Sequence, residues 1–405
     1  MPSALLGSTR NFNGKSIDSL CRGGTLKSHL LFSIVVATLS GVHPLPVFAQ
    51  QKTNPSMHHP GQSNSQISPS KPLKLNMPGP DVQNLMLGTW STKVDYPRSP
   101  DWPDGGTAEG IEVWRSGPGG YSVIEEYYER NAKEETEEFS PAWWDAEAGG
   151  QRFVFCGDAV PDGCYLSRNV AKWEGNRNVY SEDREEAGKK ITVREVFEDI
   201  TPASFSQILS KGSAGGELKP TDKIKAMKLP TTVPLEKRSL SSGNLPLTIP
   251  GPPEQTMMLG TWSITEKYET DEWTPKGGVG HGEEVWRPGP GGRSIIEEYY
   301  STTPNGESTG LAVSWWDQKT RTYQGLWCSS TNTNGCRVMP GAKWEGKQLV
   351  IENKFERNGK KCIWHEVFSD ITPTSFTQTA DIGESGSPLR RWLTIHATRA
   401  IQNSK

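Results

Sequence analysis

The feature that most constrains this chain is that it nearly repeats itself. Met86-Leu87-Gly88-Thr89-Trp90-Ser91 returns 172 positions later as Met258-Leu259-Gly260-Thr261-Trp262-Ser263. Glu112-Val113-Trp114-Arg115 returns as Glu284-Val285-Trp286-Arg287, and the Gly-Pro-Gly-Gly turn at 117–120 returns at 289–292. Ile124-Glu125-Glu126-Tyr127-Tyr128 matches Ile296-Glu297-Glu298-Tyr299-Tyr300, and Trp143-Trp144-Asp145 matches Trp315-Trp316-Asp317. The offset then falls to 171, linking Ala171-Lys172-Trp173-Glu174-Gly175 to 342–346 and Asp199-Ile200-Thr201-Pro202 to 370–373. A repeat of this length builds one supersecondary unit twice. It predicts domains over 84–229 and 255–402, joined by a linker over 230–254.

Within each copy the pattern is one of strands. Runs rich in β-branched and aromatic residues, such as Trp90 to Tyr96, Ile111 to Arg115 and Tyr121 to Glu129, are set apart by glycine pairs. Asn358-Gly359 between Ile351 to Phe355 and Ile363 to Val367 is a hairpin signal. About ten strands fit in each copy. Closing such a sheet removes its exposed edges, so the expectation is all-β, with two tandem antiparallel up-and-down barrels and a sandwich as runner-up.

Composition narrows the function. Lysine and arginine number 44 against 47 aspartate and glutamate, for a formal charge of -3, which lacks the basic footprint of a nucleic-acid binder. Residues 1–49 read as an export signal: Arg10, Lys15, Arg22 and Lys27 precede an apolar run from Leu30 to Val42, followed by Val47-Phe48-Ala49. The run is short for a membrane span, so no stable span is expected after cleavage, and the destination is periplasmic or extracellular. Residues 50–83 are rich in Gln, Ser, Asn and Pro and read as a disordered tether. In an exported chain Cys156 with Cys164, and Cys328 with Cys336, are expected to form two local disulfides, leaving Cys362 as a free thiol.

The order of features resembles a bacterial exported family of uncharacterised function with a calycin-like barrel, related in shape to lipocalins and fatty-acid-binding proteins. The resemblance rests on the Leu-Gly-Thr-Trp opening, the Glu-x-x-Trp segment and the Gly-Pro-Gly-Gly turn. It also rests on the Trp-Asp hairpin, the Trp-Glu-Gly turn, the Thr-Pro-x-Ser-Phe corner and an Arg-ending last strand. It implies a barrel with an internal cavity and lends no substrate. The last strand of the second copy, Arg391 to Arg399, alternates as a barrel strand should. Its counterpart, Lys223 to Leu229, is lysine-rich, which bears on whether the first barrel closes or keeps a cavity.

No motif of a named reaction is present: there is no Zn-type histidine spacing, no Gly-x-Ser-x-Gly elbow and no phosphate loop. No metal and no cofactor are expected. Haem through an axial histidine would fall to His281, His365 or His396, whose first-copy counterparts are not histidine. Neighbouring side chains on a strand face opposite sides, so one member of each Glu-Glu pair points inward. The candidate ligand-binding residues are Trp90, Glu112, Trp114, Glu126, Tyr128 and Trp143 in the first copy. Those of the second are Trp262, Glu284, Trp286, Glu298, Tyr300 and Trp315. The leading reading is a non-catalytic protein holding a small, largely apolar ligand in each barrel. The alternatives are a hydrolase using cavity carboxylates and a protein-interaction module.

Overall fold

The computed structural model describes residues 74–99, 102–131, 135–186, 188–230, 246–271, 274–357 and 359–400. The export signal, most of the tether and the centre of the linker lie outside the described residues. The fold is all-β. In the first half a short helix α1 (Gln83–Met86) precedes β1 (Gly88–Tyr96), β2 (Gly106–Ser116), β3 (Ser122–Arg130), β4 (Glu135–Asp145) and β5 (Gly150–Gly157). Then come β6 (Cys164–Leu166), β7 (Lys172–Glu174), β8 (Arg177–Glu186), β9 (Lys189–Glu198), β10 (Ser204–Ser213) and β11 (Lys219–Lys228). The second half opens with α2 (Pro253–Met257) and continues through β12 (Gly260–Tyr268), β13 (Gly278–Pro288), β14 (Ser294–Thr303), β15 (Gly306–Asp317) and β16 (Thr322–Ser329). It ends with β17 (Cys336–Glu345), β18 (Gln348–Arg357), β19 (Lys360–Ser369), β20 (Ser375–Glu384) and β21 (Arg390–Arg399).

Every ladder is antiparallel, and strands pair in chain order, as short turns dictate. In the second half β21 returns to β12 and the ten strands form a closed barrel. The first half is an eleven-stranded curled sheet ordered β6-β5-β4-β3-β2-β1-β11-β10-β9-β8-β7. Its lysine-rich last strand does join β1, with Lys93 opposite Lys225 and Thr92 opposite Ala226. The interruption lies instead between β6 and β7, where the second half has the single strand β17. This is where the repeat offset drops from 172 to 171, so the first half carries one extra residue there. That residue lets 167–170 leave the sheet: the Ser167 hydroxyl accepts from the Phe153 N–H at 3.1 Å, and Gln151 still bridges Ala171.

One end of each half is plugged by its own lead-in segment. Leu75 and Met77, in a stretch that composition assigns to the tether, pack into the core beside Trp90, Trp114 and Phe205. Leu247 and Ile249 do the same beside Trp262, Trp286 and Phe376. The Asn76 N–H donates to the Gly120 carbonyl at 2.7 Å, and the Thr248 N–H to that of Gly292 at 2.8 Å. Ordering of 74–83 thus corrects the expectation of a tether reaching to 83: two apolar side chains spaced two apart suffice to anchor a strap.

The two halves meet through their outer faces. One core cluster joins Ile124, Phe139, Trp143 and Val154 to Ile296, Leu311, Val313 and Trp315, together with both disulfides, Cys156–Cys164 and Cys328–Cys336. The contact is two-fold in character: equivalent residues of the halves play equivalent parts across it. At its edge Arg115 binds Glu298 at 2.7 Å and Glu126 at 3.3 Å, while Arg287 lies 3.4 Å from Glu126. Backbone approaches are close as well. Gly163 and Gly335 have φ of +79° and +84°, and a Cβ there would sit 2.4 Å from the Arg293 carbonyl oxygen and 2.6 Å from that of Tyr121. Only glycine fits both the conformation and the space.

Candidate functional site

Strand alternation and register decide which side chains enter each lumen. Cross-strand partners share a face. Trp90 faces Glu112 across β1 and β2; Glu112 faces Tyr127 and Trp114 faces Glu125 across β2 and β3. These five therefore line the interior of the first half. Trp262, Glu284, Trp286, Glu297 and Tyr299 line the second by the same registers. The structure thus brings together six of the sequence candidates, Trp90, Glu112, Trp114, Trp262, Glu284 and Trp286.

The other six candidates lie on the opposite face, which corrects their selection as cavity residues. Glu126 and Glu298 are the anions of the arginine network between the halves, and Trp143 and Trp315 fill the core of that contact. Tyr128 and Tyr300 share the outer face, Tyr300 being exposed. The inward members of the pairs are Glu125 and Glu297. His281 and His396 are exposed, and with His365 they alternate with inward residues of β13, β21 and β19, so none reaches the lumen.

Trp90 and Trp262 are plugs. Each is fully buried, donates its indole N–H at 2.7 Å to the carbonyl of Met86 or Met258, and packs edge-on against Phe205 or Phe376. Lys228 and Arg399, ending the last strands, lie over these rings and donate to carbonyls at the ends of α1 and α2.

Above the plugs each lumen carries a layer of carboxyls, of which Glu112, Glu284 and Glu297 are buried and Glu125, Glu195 and Glu366 half-buried. In the first half Glu112 accepts from the Trp114 indole at 2.5 Å while its other oxygen is buried without a partner, and Gln207 donates to Glu195 at 2.6 Å. In the second half Glu284 accepts from Trp286 at 3.0 Å, and Glu366 accepts from Trp364 and Gln378. Burial pushes Glu112 and Glu284 up to about 7. Glu125 and Glu297 rise well above the carboxylate range, through burial and then through repulsion from Glu112 and Glu284.

A further carboxylate serves the tyrosines of each lumen, but from different strands. Glu129 on β3 accepts from Tyr96 and Tyr127, whereas Glu266 on β12 accepts from Tyr299 and Ser301. Glu129 and Ser301 are equivalent positions, as are Val94 and Glu266. The carboxylate has changed strand while keeping a tyrosine partner.

The lumens part company at the end away from the plug. Here the first half places Glu138, Phe155 and Tyr165, with Phe155 and Tyr165 in ring contact at 5.5 Å. Burial pushes Glu138 up to about 8. The second half has Gly310, Trp327 and Arg337 at the equivalent positions. A Cβ on Gly310 would come within 2.3 Å of the Trp327 ring, so the loss of the glutamate makes room for the larger indole. Trp327 and Arg337 are directly opposed across β16 and β17. With Ser329, Thr331, Asn332, Asn334 and Cys336 they line a cavity of about 440 Å³ at the disulfide loop. The wall beside it is partly unpaired, because β17 meets β18 only over Lys343 to Glu345. In the first half a void of about 30 Å³ lies near the plug, lined by Met77, Trp114 and Phe197 among others.

Sequence reasoning missed Arg337, Trp327 and Gly310. Among the described residues no group of three or more His, Cys, Asp or Glu side chains is placed to hold a metal, and no helix is long and apolar enough to cross a membrane. No known protein-family profile matches the chain, and no curated protein matches it. Two solved structures are similar to it over much of its length. One is a protein of unknown function from the DUF3598 family of Nostoc punctiforme, with 8% identity, 78% of this chain and 97% of that one covered, and a TM-score of 0.23. The other is a putative AttH of Nitrosomonas europaea, with 10% identity, 82% and 98% covered, and a TM-score of 0.14. Superpositions this loose carry no functional argument.

Proposed function

We propose that this is an exported, non-catalytic binding protein of two related halves, a curled sheet and a closed barrel, in which the barrel holds a small ligand and the curled sheet is filled by its own side chains. The observation that carries the reading is the cavity of about 440 Å³ at the open end of the barrel, a size typical of small-molecule sites. Its lining of one indole, one guanidinium and several hydroxyl and amide groups suits a ligand more polar than the largely apolar one that the barrel pattern alone suggests. The two disulfides are compatible with export.

The hydrolase reading draws on the carboxyls raised to about 7, which is where a general acid works. Glu112 and Glu284 are fully buried, however, which keeps them from a substrate in this conformation. Native mass spectrometry of the chain from an exporting host, before and after incubation with that host's organic and aqueous extracts, tests the binding reading. A discrete added mass that is lost on denaturation, and lost in a Ser329→Trp variant, supports it. The bare polypeptide mass under every condition overturns it.

A further inference from the structure

Arg337 is the first residue of β17 after its disulfide cysteine. Cys336 faces the contact between the halves, so alternation turns Arg337 into the lumen. Its guanidinium makes no hydrogen bond or ion pair among the described residues, though it lines the cavity and is reached by solvent there. The carboxylate that feels its charge, Glu366, is already held by Trp364 and Gln378. The guanidinium is thus exposed and unpaired, opposite the Trp327 indole and beside Ser329, Thr331, Asn332 and Asn334, with its donors open to a ligand.

Resting on the reading of this cavity as a binding site, we infer that its ligand is a small organic carboxylate, its anionic group held by Arg337 and its ring-shaped body laid against Trp327. A guanidinium presents a planar fork of donors that matches a carboxylate, and its charge-assisted hydrogen bonds are stronger than neutral ones. The neighbouring hydroxyl and amide groups offer further hydrogen bonds to polar substituents. The first half has Tyr165 in place of Arg337, so the chain binds one equivalent and not two.

Naphthylacetate and its uncharged match naphthylacetamide are the probes, titrated calorimetrically into the full mature chain. The expected result is one site for the acid, with the amide about ten- to a hundred-fold weaker, as loss of charged hydrogen bonds implies. Arg337→Gln, checked for native circular dichroism, should bring the acid to the level of the amide and leave the amide unchanged. Equal binding of acid and amide to the unmodified chain overturns the carboxylate assignment while the cavity stands as a site, and this arm does not depend on the variant folding. Unchanged acid affinity in Arg337→Gln overturns the assignment to that residue. Binding of neither probe overturns the carboxylate assignment; the cavity reading itself falls only if the mass spectra also show bare polypeptide.

Discussion

The two lumens share their lower storeys and differ in the upper one. Both have an indole plug held by a backbone carbonyl, and both stack above it a Glu–Trp pair and a second inward Glu. At the open end, glutamate, phenylalanine and tyrosine fill one half where glycine, tryptophan and arginine leave a cavity in the other. The plug and carboxyl layers go with the fold, since both halves keep them whether or not they keep a cavity. On the proposed reading, three positions near the rim set what each half can bind.

The comparison fails at its base if the plugs are unequal. Trp90→Ala and Trp262→Ala are each expected to cost about 3–5 kcal/mol, as removing a fully buried indole does, and to do so to a similar degree in denaturant melts. A large difference between them would mean that the halves do not share a common base. The disulfides come next: replacing Cys156 and Cys164, or Cys328 and Cys336, with serine should cost roughly 2.5 kcal/mol in either half by the loop-entropy estimate. Because both pairs sit in the contact between the halves, each replacement should loosen protection from hydrogen exchange on both sides of it.

The carboxyl layer predicts a shared pH dependence. Glu112 and Glu284 are raised to about 7 in the folded chain, above their ordinary value, so the folded state binds more protons than the unfolded one between about 4.5 and 7. Stability must therefore fall as pH rises through that window, on the order of 3 kcal/mol for each group, and the raised Glu138, Glu125 and Glu297 carry the fall beyond it. Glu112→Gln and Glu284→Gln should each lessen the slope between about 4.5 and 7; a variant that leaves it untouched would assign the protons elsewhere. The smallest effect expected is a gain. Glu138→Gly with Phe155→Trp and Tyr165→Arg should give the first half a second, weaker site for naphthylacetate, and a titration that still ends at one equivalent would show that more than three residues separate the lumens.

Much of this was legible in the repeat. The halves, the disulfide partners and the sharing of one face by Glu112 and Trp114 follow from spacing alone. The inward member of each Glu-Glu pair was also within reach. The turn closes with the Gly117 N–H on the Ser122 carbonyl, which sets Trp114 opposite Glu125, and cross-strand partners share a face. Alternation alone does not tell Glu125 from Glu126, and nothing in the sequence shows that the outer face carrying Trp143 is covered. Arg337 had a signal too, since the residue after an outward-facing cysteine must face inward. The cavity itself had none, because it depends on how Gly310, Trp327 and the disulfide loop share space across three strands.

The two-fold character of the contact between the halves has a consequence for how such a molecule can change. In a symmetric dimer of identical subunits every substitution is made twice, so a rim that opens on one side must open on the other. On a single chain it is made once. Here the outer face of β17 keeps its cysteine in the shared contact while the very next residue faces an interior belonging to one half alone. One residue of strand therefore separates what symmetry holds fixed from what each half is free to specialise.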